Sequence, residues 1–168
     1  MGTRLFGGGR SDMTSLVIRA AALGFAAGLR SQVPNAALAR HHEEAPRSAS
    51  WRTWIPFRWP AARTIMRFSA IGEAIGDKLP TVPSRLTPGP LGGRIVFGAF
   101  AGASIGSEYR ADSAVALGAV LGGSAALAGS FAGARARIHI TSRYGLPDVS
   151  VALVEDALAL GIATRAVR

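Results

Sequence analysis

A chain of 168 residues that is 49% hydrophobic and 17% charged fits a single domain, and it is short of charge for a water-soluble one, where about 25% is usual. Its formal charge of +9 comes from basic residues of which Lys78 is the one lysine. These arginines flank apolar stretches and do not line one polar helix or tail, which favours anionic lipid headgroups over nucleic acid as partner. No cysteine is present, which excludes disulfides and thiolate chemistry.

Residues 1–14 are rich in glycine and arginine and are expected to form a disordered tail ahead of one membrane domain over 15–168. Ser15 to Ala39 is apolar and long enough to span a bilayer, interrupted by Arg19, Arg30 and Pro34, with Pro34 read as a kink. Arg40 to Pro60 is polar and irregular. Adjacent histidines cannot both face one metal from a regular helix, so His41 to Glu44 (HHEE) reads as a solvated polar run. The string WRTWIPFRWP that follows holds all three tryptophans, alternating with Arg52 and Arg58. Indole rings favour the headgroup layer, so 40–60 is expected to be an interfacial insert with Trp51, Trp54 and Trp59 against anionic headgroups.

Ala61 to Leu79 has a helical pattern but carries Arg63, Arg67, Glu73, Asp77 and Lys78. At about 2.5–3.5 kcal/mol for each charge placed mid-bilayer, it does not insert readily alone, and reads as buried in the bundle, re-entrant or interfacial. The proline-rich stretch Pro80 to Pro90 ends it. A glycine-rich apolar helix over Leu91 to Ser107 and a polar turn, Glu108 to Asp112, come next. Ser113 to Ala134 then carries no charge, and as a helix it matches the ~30 Å hydrocarbon core of a bilayer. A soluble domain of this size would have to bury that segment on every side. A basic stretch, Arg135 to Arg143, and a turn, Tyr144 to Asp148, lead to a last helix over Val149 to Val167 capped by Asp148 or Ser150. The positive-inside bias puts Glu108 to Asp112 outside and Arg135 to Asp148 in the cytoplasm. It also draws both Arg40 to Arg67 and Lys78 to Arg94 to the cytoplasm, a conflict if Ala61 to Leu79 crosses.

Gly24/Gly28, Gly72/Gly76, Gly98/Gly102/Gly106, Gly118/Gly122 and Gly129/Gly133 repeat at i, i+4, so each set shares a helical face suited to close backbone approach, within one chain or in a homo-oligomer. The expected fold is an all-α polytopic membrane helix bundle of four or five apolar helices packed through glycine.

The embedded charges are the candidate site. Glu73 and Asp77 share a helical face with Ser69, Glu155 and Asp156 point about 100° apart, and Arg30 is the counter-charge on the first apolar segment, with Lys78 and Arg85 close to the proline-rich stretch. Such groups either neutralise one another as a folding network or line a polar cavity for a cation, a proton or a small charged solute. Catalysis is disfavoured: His41, His42 and His139 lie outside the apolar stretches, Gly76-Asp77 lacks the setting of an intramembrane aspartyl protease, and no cofactor or metal motif is visible.

The strings AAGLRSQVPNAALA (26–39), GEAIGDKLP (72–80), PSRLTPGPLGGRI (83–95) and VALVEDALAL (151–160) resemble, in the same order, a family of small bacterial membrane proteins catalogued as domain of unknown function 4126. The resemblance runs from about Leu16 to Ala163, with a longer insert between Arg40 and Ala61. It implies a multi-pass protein of the bacterial inner membrane and marks Arg30, Glu73, Asp77, Lys78, Arg85, Glu155 and Asp156 as motif positions. Ion or small-solute translocation is the expected function, with a structural membrane protein as the alternative.

Overall fold

A computed structural model describes residues 8–76, 86–109, 111 and 113–168, and among them the chain is all helical, without a strand. The helices are α1 (Gly8–Leu29), α2 (Val33–Arg40), α3 (Ile55–Arg58), α4 (Pro60–Gly76), α5 (Pro88–Gly106), α6 (Ala114–Tyr144) and α7 (Asp148–Ala166), with a 3₁₀ turn at Ser50–Thr53. Two of them are long and apolar enough to cross a membrane: α1, over Asp12–Leu29, and α6. Local chemistry accounts for several ends. Prolines occupy the first turns of α2 and α5, where no intrahelical N–H is lost. Gly145, at φ 60°, closes α6 in the left-handed conformation and donates its N–H to the Thr141 carbonyl.

The charge-free segment ends at Ala134, yet α6 continues through the basic stretch to Tyr144. Asp148 does not cap α7 as expected. Its carboxylate accepts from the Arg137 guanidinium and staples the turn between α6 and α7. α1 starts at Gly8, inside the segment expected to be disordered.

Cross-contacts set the helix directions. Gly24 meets Gly122 and Gly28 meets Ala126, so α1 and α6 run parallel, whereas Gly98 meets Gly122 and Gly106 meets Ala114, so α5 is antiparallel to α6. Arg19 reaches the Ala166 carbonyl while Arg30 pairs with Asp156, which makes α7 antiparallel to α1. Arg30, just ahead of α2, pairs with Asp156, whereas Glu44, just past its end, shares a small recess with Val167 and Arg168. α2 therefore runs parallel to α7 and antiparallel to α1. The stretch Ser15 to Ala39 is not a kinked span: the chain reverses at 30–32 and returns toward the end marked by Glu108, forming a helical hairpin whose tip lies inside the bundle. α4 packs along α2 in the opposite direction, with Glu73 at the tip and Arg67 donating to the Ala39 carbonyl.

The interior is built of small residues. A Cβ placed on Gly24, Gly102 or Gly122 would lie 2.1–2.2 Å from the backbone oxygen of the facing helix, so α1, α5 and α6 meet backbone to backbone. Gly72 differs, with nothing within 4 Å of a Cβ placed there. Leu16, Leu23, Leu38 and Ile105 fill this alanine- and glycine-rich centre, while many other large apolar side chains point outward, including Ile65, Phe68 and Ile75 on α4, Val120 and Ile138 on α6, and Leu153 and Leu158 on α7.

The insert 40–60 is only partly a surface element. Trp51 is 1% exposed, stacks edge-on against Phe57 and His42, and donates its indole N–H to Glu108 at 3.2 Å, so it cannot touch headgroups. Trp54 is half-buried against Phe100, and Trp59 is exposed. The HHEE run also departs from expectation. His41 and His42 are buried and hydrogen-bonded to the exposed Glu44 and Glu43, and His42 Nε2 lies 3.1 Å from the Arg52 carbonyl oxygen. These bonds, reinforced by nearby arginines, hold both carboxyls below the ordinary carboxylate range.

A charged site at the hairpin tip

The reversal at 30–32 breaks the helical hydrogen-bond ladder inside the bundle, where each freed backbone group needs a partner. Two charged side chains from distant helices supply them. Arg94 of α5 is buried and donates through Nη1 to the carbonyls of Gly28 and Leu29, both at 2.8 Å, capping the C-terminal end of α1. Glu73 of α4 accepts from the Ser31 N–H and hydroxyl and from the Gln32 N–H, each at 2.8 Å, capping the start of α2. Each charge matches the helix end it faces, a cation at a C-terminus and an anion at an N-terminus. The two caps also attract each other, with Arg94 Nη2 3.6 Å from Glu73 Oε1. Ser130 of α6 adds a hydroxyl to the Gly28 carbonyl, and Ser69 of α4 one to the Gln32 side chain.

Arg30 itself lies on the turn, 1% exposed, and its Nε pairs with the carboxylate of Asp156 on α7. The Asp156 side chain is 23% exposed, so it is the partner accessible from outside the bundle. Glu155, one residue earlier, is buried on the inward face of α7 with Ala152 and Ala159. Asn35, in the first turn of α2 and 1% exposed, presents a side-chain amide that no described residue hydrogen-bonds.

Of the residues singled out from sequence, Arg30, Glu73, Glu155 and Asp156 lie on the helices that meet at the tip. Arg30, expected as the counter-charge, pairs with Asp156, while Glu73 binds the Ser31 and Gln32 N–H groups and Arg94. Asp77, Lys78 and Arg85 lie outside the described residues. Arg94 was missed, although its spacing pointed to it: Arg94, Gly98 and Gly102 follow at i, i+4, i+8 on the one glycine face of α5. A second cluster was missed altogether. Arg19 pairs with Glu108 at 2.6 Å and donates to the Ala166 carbonyl, tying α1 to α7 and to the Trp51 plug at the other end of the hairpin.

Removing the α1 cap tests the arrangement. Arg94→Ala leaves the Leu29 carbonyl without its donor and the Gly28 carbonyl with the Ser130 hydroxyl alone, at a cost of about 1–3 kcal/mol for a buried acceptor left unmet. The expected result is faster amide exchange over 28–35 than elsewhere in α1, with partial recovery in Arg94→Lys. Unchanged exchange at the tip would show that Arg94 is not the cap.

No curated protein and no solved structure matches this chain. A family model does, that of Domain of unknown function (DUF4126), over residues 17–168, a range that holds the whole hairpin, both caps and the Arg30–Asp156 pair, and the chain belongs to that family.

Proposed function

We propose that this chain is a multi-pass protein of the bacterial inner membrane that moves an ion or small charged solute past the tip of its re-entrant hairpin. The observation that carries this reading is the meeting, at one unwound turn, of ionisable groups from α1, α4, α5 and α7. Irregular backbone at membrane depth is tolerated where it is buried in protein or lines a cavity, and half-helix ends are where transported ions and solutes are held. Ile65, Phe68, Ile71 and Ile75 recur at helical spacing along one exposed side of α4 and support the membrane setting, since a water-soluble protein rarely leaves such an apolar face uncovered. Glu73 and Arg94 are engaged with the backbone, and Asp156, 23% exposed, is the acid through which an ion would reach Arg30.

Arg30→Gln combined with Asp156→Asn, which strands no buried charge, is expected to retain the fold in proteoliposomes and lose proton- or cation-coupled flux, read with a pH-sensitive dye and with radioactive cations. Full flux in the folded double variant sinks the translocation reading. The scaffold alternative is favoured by a specific observation, that Glu73 and Arg94 already serve as helix caps, and it predicts no flux from wild type either.

The orientation follows from where the fold brings the basic segments. Arg40, Arg47, Arg52, Arg58 and Arg63 sit on the segment that packs at the Glu108 end, as do Arg165 and Arg168, whereas Arg135, Arg137 and Arg143 sit at the other end. The positive-inside bias then puts the Glu108 end in the cytoplasm, the reverse of the assignment made from the two loops alone. With no native cysteine to interfere, single cysteines at the exposed Ser48, Ser113 and Ser142 are the test. An impermeant thiol reagent on intact cells should label Ser142→Cys and spare the other two. Labelling at Ser48 or Ser113 overturns this orientation.

A further inference from the structure

We infer that the cleft between α2, α4 and α7 is a binding site for an anionic phospholipid, an inference that rests on the membrane setting proposed above. The cleft has a volume of about 730 Å³, within the ~300–1,000 Å³ typical of small-molecule sites. Its walls share one gradient of polarity. Along α2 they pass from Val33 to Arg40, along α7 from Leu160 to Arg168, and along α4, which runs the other way, from Ile71 to Arg67. The residues these three helices turn into the cleft are therefore apolar on its hairpin-tip side and cationic on its Glu108 side.

That gradient matches a molecule with an acyl chain at one end and a phosphate at the other. Arg67 is held in place by its bond to the Ala39 carbonyl. Among the described residues Arg40 and Arg168 have no hydrogen-bond or ion-pair partner, so two guanidiniums stand ready at the mouth, a geometry suited to bidentate phosphate contact. Glu44 lies beside them but is hydrogen-bonded to His41 at 2.6 Å, and three arginines outweigh it. A free phosphate would use the mouth and leave the apolar floor without a purpose. The helices flanking the cleft carry exposed Phe68, Ile75 and Leu158, the surface expected beside bilayer acyl chains, so a lipid can enter sideways. Basic recesses between membrane helices on the cytoplasmic side are where anionic headgroups bind, and that is the side given above to the Glu108 end.

The test is thermal unfolding of the detergent-purified full chain titrated with phosphatidylglycerol, phosphatidylcholine or inorganic phosphate. Phosphatidylglycerol is expected to raise the melting temperature and the other two to leave it unchanged. Arg40→Gln should weaken the apparent affinity about tenfold, the loss of one charge-assisted contact. Ile71→Trp, which fills the floor and leaves the arginines intact, should abolish the shift. Ile71 is 54% exposed, so this variant is expected to fold. An equal shift with phosphatidylcholine, an equal shift with inorganic phosphate, or an unaltered response in Ile71→Trp overturns the cleft assignment. Carbonate extraction of native membranes separates the two levels: release into the soluble fraction removes the membrane setting, whereas retention without selective lipid response removes the lipid site alone.

Discussion

Gly102→Ala should melt well below the wild type in detergent, while Gly72→Ala should melt at or slightly above it. The opposite signs come from the same added methyl group. At Gly102 a Cβ would lie 2.1 Å from the Gly118 carbonyl oxygen and 2.9 Å from its carbon, and at Gly118 it would lie 2.2 Å from the Gly102 oxygen. Backbone faces backbone, so no flexible side chain can give way, and α5 and α6 must move apart along their shared length. Overpacking commonly costs about 1–3 kcal/mol when neighbours can adjust, and the upper part of that range or beyond is expected here. In a membrane the loss is felt fully, because close dispersion contact replaces the hydrophobic force that holds soluble helices together. Gly72 has open space around it, and replacing a mid-helix glycine by alanine is worth up to about 1 kcal/mol in helix propensity. Equal melting temperatures for the two variants would overturn the packing.

The second large effect is expected at Arg30 and Asp156. Asp156→Asn alone removes the carboxylate that faces a guanidinium which is 1% exposed, and breaking a buried pair from one side costs about 3–5 kcal/mol. Arg30→Gln combined with Asp156→Asn removes both charges and should recover much of that loss, giving a coupling of about 0.5–3 kcal/mol in a double-mutant cycle. The corresponding cycle between Arg30 and Glu73 should give a smaller coupling, because Glu73 is engaged with Ser31, Gln32 and Arg94. A larger coupling for Arg30 with Glu73 than with Asp156 would overturn this assignment of partners. The stability cycle and the flux measurement separate the two functional readings: strong coupling with no flux in any form leaves a scaffold, and flux that vanishes in the folded double variant Arg30→Gln, Asp156→Asn leaves a translocation site.

Much of this fold is legible along the chain because it depends on neighbours in sequence. The glycine that closes α6, the prolines that open α5, and the apolar run over 113–134 are all set by local backbone chemistry and hydropathy, and their positions follow from the residues themselves. The inward face of α5 is legible too, since Arg94, Gly98 and Gly102 share one side at helical spacing. The reversal at 30–32 is of another kind. Apolar residues continue on both sides of Arg30, so hydropathy alone reads a kinked span, and the turn is stable only because Glu73 and Arg94 arrive from other helices to satisfy the broken ladder. The tryptophan patch has the same origin. Alternation with arginine suggests a lipid interface, but Glu108 offers the Trp51 indole an acceptor and Phe57 and His42 enclose it, so one ring goes inside and Trp59 stays out. Periodicity and capping are properties of adjacent residues and are written along the chain; which charge meets which partner depends on distances that exist only once the helices have packed.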